Sequence, residues 1–233
     1  MMRTPARDRV TCHLVWGRMV ARRSPGATMT DQLLVPVTDH SFGVFDKFEI
    51  PIATASWGTG LIVEMAVGAM IYTGIDRGPV RVTVDIRDAA PSDVDREPWD
   101  DIVEASLTAP HGQLRIQPLE YVPQADPSFS VPLLSFAGPG TYRLRAHTRG
   151  RDTAYDTVQT EPCEDYLLTI WPAPPQPSLI IRATDKCGYG VRLADLTTPK
   201  RTLERQPPGY QAQQQRNAEL DAALLQSRPD RVE

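Results

Sequence analysis

The sequence predicts an all-β protein, an antiparallel β-sandwich of about nine strands with a disordered N-terminal arm and a marginal C-terminal helix. Three observations carry this prediction. Short runs of alternating apolar and polar residues recur along the chain, as half-buried strands require. Gly, Pro and Asp clusters separate them at intervals typical of a sandwich. No stretch before residue 200 shows a convincing helical period, so two packed sheets are the natural way to bury the apolar faces.

The chain has 233 residues, a formal net charge of −4 and an ordinary apolar fraction of 41%. Its charge is unevenly placed. Residues 1–28 carry six arginines against the single acid Asp8, and Met29 follows. This segment reads either as a spurious upstream start or as a disordered basic arm, outside the fold in both cases. Residues 29–190 then form the sandwich domain, and residues 191–233 a linker and helical tail.

Leu33 to Thr38 makes a short first strand, and Phe42 to Ile50 a second that stops at Pro51. Leu61 to Ile75 is long and bends at Gly68, where a missing side chain permits a kink. A hairpin turn at Asp76 to Gly78 leads into Pro79 to Arg87, in which Val80, Val82, Val84 and Ile86 alternate with Arg81, Thr83, Asp85 and Arg87. Asp88 to Asp100 is an acidic, proline-broken connection. Ile102 to Thr108 and Gln113 to Pro118 then read as a hairpin around Pro110, His111 and Gly112. Tyr121 to Ser128 is a loop, and Ser130 to Phe136 a strand.

Thr141 to Thr148 places Tyr142, Leu144 and Ala146 on a packed face and Arg143, Arg145 and His147 on a solvated one. Tyr166 to Trp171 is apolar on both faces, which suits a more central strand. Ser178 to Thr184 supplies a last strand beyond a proline run. Tyr210 to Gln226 has good helix propensity but a thin apolar stripe of Leu220, Ala223 and Leu224, hence a marginal helix.

Chemistry-bearing patterns are sparse. His13, His40, His111 and His147 share no spacing that would bring two to one metal, so no metal site is expected. Cys12, Cys163 and Cys187 fit neither a metal knuckle nor a disulfide framework, and pairing of Cys163 with Cys187 is left open. No nucleophile elbow and no phosphate-cradling glycine loop occurs, so neither catalysis nor a cofactor is expected. The acidic body argues against nucleic acid as a partner. The most apolar window, Leu61 to Tyr72, contains Glu64 and is too short to span a bilayer, and no secretory leader is recognisable, which predicts a cytoplasmic protein without a membrane partner.

The acidic connection has two readings, a solvated loop or a patch that imitates nucleic-acid phosphates and docks into a basic cleft. The second selects Asp93, Asp95, Glu97, Asp100 and Asp101 as contacts around Trp99 as anchor. Trp171 is expected as a core plug, and Trp57 and Tyr155 as the exposed aromatics of a possible ligand- or carbohydrate-binding face. Arg143, Arg145, Arg149 and Arg151 have two uses, gripping carboxylates or pairing with the acidic connection.

The segments HSFGVFD at His40 to Asp46, GAMIYTG, VEASLTAPHGQLRIQ, LSFAGPGTYRLRA and EDYLLTIW follow one another in the order seen in the competence protein J family, which the chain resembles over roughly Asp39 to Trp171. That family comprises small intracellular bacterial proteins that bind and inhibit a DNA-entry nuclease. The resemblance implies a β-sandwich, no catalytic residues, and a basic nuclease as protein partner. The chain departs from it in a longer loop from Arg149 to Glu161, the strand after the proline run and the tail. The function expected is therefore a non-enzymatic inhibitor or immunity-type protein, with a ligand-binding sandwich as the alternative.

Overall fold

The computed structural model describes residues 28–29, 32–47, 49–120 and 131–197, with the isolated position 216. The chain divides into two units, Met1–Thr197 and Thr198–Glu233. The arm up to residue 27, the Tyr121 to Ser128 loop and, Arg216 apart, the predicted Tyr210 to Gln226 helix lie outside the described residues.

Eleven strands and one α-helix make up the described part: β1 (Thr28–Met29), β2 (Leu33–Val37), β3 (Ser41–Asp46), β4 (Ile62–Glu64), β5 (Ala69–Tyr72), β6 (Gly78–Ile86), β7 (Asp101–Ala109), β8 (Leu114–Pro118), β9 (Gly140–Arg149), β10 (Asp165–Pro172), β11 (Leu179–Ala183) and α1 (Lys186–Thr197). One sheet runs β1-β6-β10-β9-β7-β11, with β2 also on β6; the other runs β4-β5-β3-β8. Val82, Val84, Leu144, Tyr166 and Leu168 of the first sheet and Phe42, Val44 and Ile71 of the second share one buried core. Phe42 meets Tyr166 edge-on, with ring centroids 5.4 Å apart.

The sandwich is therefore as expected, with one departure: β10 runs parallel to β6, from Asp165 beside Arg81 to Ile170 beside Ile86. The other pairings are antiparallel, including β9 with β10. The central placement expected for Tyr166 to Trp171 holds, since β10 lies between β6 and β9.

Several local expectations are corrected. Thr28, assigned to the arm, pairs with Ile86 in the sheet. The second strand ends at Asp46, short of Ile50. The long strand through Gly68 is two strands, β4 and β5, folded on each other, and Gly68 takes a left-handed φ of 63° between them. Ile102 to Thr108 and Gln113 to Pro118 do not form a hairpin, because β7 and β8 belong to different sheets. Buried Asp46 holds the arch between them, accepting hydrogen bonds from the backbone N–H groups of His111 and Gln113, both at 2.6 Å. The turn at Asp76 to Gly78 likewise crosses from β5 to β6, from one sheet to the other. Ser130 to Phe136 forms no strand among its described residues.

A helix precedes residue 200 after all. Its sequence, KCGYGVRLADLT, holds two glycines and no regular core stripe, so periodicity did not mark it. It forms because side chains far away in sequence satisfy its first N–H groups: Asp152 accepts from Lys186 and Cys187, and Asp185 accepts from Gly188.

Candidate binding surface

The outer face of the larger sheet is where the sequence and the structure differ most. Arg143, Arg145 and His147 alternate outward on β9 as expected, yet all three are buried. Two irregular segments cover them. Arg143 donates to the carbonyls of Gln176 and Pro177 in the proline run and pairs with Glu104. Arg145 bonds the other Glu104 oxygen at 2.6 Å, reaches the carbonyl of Asp93 at 3.1 Å and stacks over Trp171. Trp171 is buried on this outer face and not in the inter-sheet core. An alternating strand predicts which side a residue faces, but not whether a loop then lies upon it.

The acidic connection runs across this face from the end of β6 to the start of β7, and its six predicted contact residues separate. Trp99 is 7% exposed, with its ring 5.5 Å from that of His147 and the Arg149 guanidinium above it. It fastens the loop to the sheet and is not placed to anchor a partner. Asp101 is fully buried. Asp100, half-buried, accepts the Gly150 N–H at 2.9 Å. Asp93, Asp95 and Glu97 are exposed. Glu97 pairs with Arg182 of β11 at 2.6 Å. Asp93 and Asp95 meet no cation within ion-pair range among the described residues, so their charge faces solvent.

At the end of the sandwich reached by this connection lies a buried ionic centre in which Arg151 pairs with Asp101 of the acidic segment, one of the two uses expected for it, and with Asp185, which sequence reasoning missed. Arg151, fully buried, pairs through Nε with Asp185 at 2.7 Å and through Nη2 with Asp101 at 2.9 Å. Its Nη1 donates to the carbonyls of Gly60 and Tyr72 in the smaller-sheet half. Burial opposes its charge, but the Asp185 carboxylate, with Asp101, holds its pKa above the ordinary value. Asp101 also accepts the N–H groups of Thr184 and Asp185. The Arg149 to Glu161 loop, one of the features that set this chain apart in sequence, thus supplies the arginine, and the segment just after the extra strand supplies Asp185. Its position on a loop, 34 residues from Asp185, left no periodic signal.

Beside it, buried Glu164 accepts from the N–H groups of Gly74 and Ile75 and from the Tyr166 hydroxyl. Burial pushes the Glu164 carboxyl above its ordinary pKa, against the pull of those bonds. Gly74 leaves no room for a side chain, since a Cβ there would sit 1.9 Å from the Arg151 carbonyl oxygen. Gly74→Ala is expected to cost about 1–3 kcal/mol by forcing the backbones apart, read as a lower midpoint in urea unfolding.

The other predicted aromatics, Trp57 and Tyr155, are brought into one row by residues the sequence did not single out together. Trp57 meets Tyr72 edge-on at 5.9 Å, Tyr72 stacks on His40 at 5.5 Å, and His40 meets Tyr155 at 5.9 Å. Trp57 is half-buried against the cluster of Phe45, Val63, Met65 and Met70, whereas Tyr155 is 52% exposed. His40 Nε2 lies 3.2 Å from Asp156 and 4.0 Å from Asp76.

No disulfide joins Cys163 to Cys187, both of which are buried, and burial pushes the Cys187 thiol up to about 12. Among the described residues no group of three His, Cys, Asp or Glu side chains is placed to hold a metal ion. No described helix is long and apolar enough to cross a membrane.

No protein-family model matches the chain, and no curated protein matches it. Among solved structures, the crocagin biosynthetic gene J product is 16% identical, with a TM-score of 0.37, over 64% of this chain and 99% of its own. ComJ from Bacillus subtilis, described as an inhibitor of the DNA degrading activity of NucA, is 11% identical, with a TM-score of 0.39, over 63% of this chain and 98% of its own. Likeness at this level assigns no family and carries no function across.

Proposed function

We propose that this chain is a non-enzymatic cytoplasmic binding protein, an inhibitor or immunity-type partner of a nuclease, which seats its acidic connection in a basic cleft. The observation that carries the reading is the exposure of Asp93 and Asp95 on a loop pinned from beneath by Arg145, Trp99 and Asp100. Carboxylates held on a fixed backbone lose little freedom on docking and present charge where a nuclease expects phosphate. Glu97 extends the contact set at its Arg182-paired end, while Trp99 and Asp101 act from inside the fold by keeping the loop in place. Occlusion of the cleft then needs no chemistry from the inhibitor.

The test pairs the purified full chain with the basic nucleases of its own cell in plasmid-digestion and stopped-flow association assays. One of them is expected to be inhibited stoichiometrically. Asp93→Lys with Asp95→Lys should slow association about 10-fold or more at low salt and flatten its salt dependence. Undiminished inhibition by that variant would remove the loop from the interface, and inhibition of none would end the nuclease reading.

A further inference from the structure

We draw no further inference here: the strongest candidate, the exposed apolar face that Tyr189, Leu193 and Leu196 form along α1, is an unpartnered helix face, and nothing in the structure shows what covers it.

Discussion

Arg151→Met is expected to destabilise the protein by about 3–5 kcal/mol, which for a domain of this size lowers the melting temperature by roughly 10 °C. The guanidinium is 0% exposed, and the Asp101 and Asp185 side chains are nearly so. Removing the cation leaves two buried carboxylates with only Arg192, 3.6 Å from Asp101, to offset them, and it also strips donors from the carbonyls of Gly60 and Tyr72. One of the carboxylates must then take up a proton or the site must open. Arg151→Lys retains the charge but cannot span both acids and both carbonyls, so an intermediate loss is expected.

Converting both acids as well, in Arg151→Met with Asp101→Asn and Asp185→Asn, should recover part of the loss. The amide oxygens could still accept from Thr184, Asp185 and Gly188. The measurement is urea unfolding followed by tryptophan fluorescence. A loss below about 1 kcal/mol for Arg151→Met would show that the ion pairs only break even against a well-packed side chain.

Stability is also expected to fall as pH drops from about 6.5 to about 4, through His147. Burial lowers its pKa to about 4, with the Arg145 charge adding to the effect. The sign follows from proton uptake. Below about 6.5 the unfolded chain protonates this histidine while the folded protein does not, so acid favours unfolding until the folded group also titrates near 4. A difference of that size corresponds to about 3 kcal/mol at the low end of the window and to none above neutrality.

His147→Gln should be less pH-dependent by that amount, since the amide keeps a donor but takes up no proton. Unfolding free energies at pH 7 and pH 4.5 for both proteins decide it, because other titrating groups cancel in the difference. Parallel pH profiles would mean that His147 reaches water by local opening of the loop carrying Trp99.

The elements with regular alternation were legible in the sequence: β6, β9 and the doubly apolar β10 are where their patterns put them. The crossings between sheets were not, because the Asp76 to Gly78 turn and the Pro110 to Gly112 turn look locally like hairpin turns. Only burial of Asp46 and the packing of β5 and β8 beside β3 reveal arches instead. Helix α1 was hidden for a related reason, its start being satisfied by Asp152 from another loop.

The candidate site was half legible. Composition marked the acidic connection, but it could not separate the exposed Asp93, Asp95 and Glu97 from the inward Trp99 and Asp101. Trp57 and Tyr155 were singled out as aromatics, whereas His40 and Asp156 meet across 116 residues with no pattern to announce it.

The parallel pairing of β10 with β6 bears on how the chain acquires its shape during synthesis. Asp165 pairs beside Arg81, a partner made 84 residues earlier. When β6 leaves the ribosome, the edge that β10 will occupy is therefore unfilled, and β7 waits in the same way for β9. The larger sheet cannot assemble from its N-terminal end outward; β9 and β10 must arrive and insert between strands already made. Folding dominated by such distant closures is slow and leaves sticky strand edges exposed for longer. The cell's chaperones should accordingly meet this protein as a nascent chain missing the middle of its main sheet.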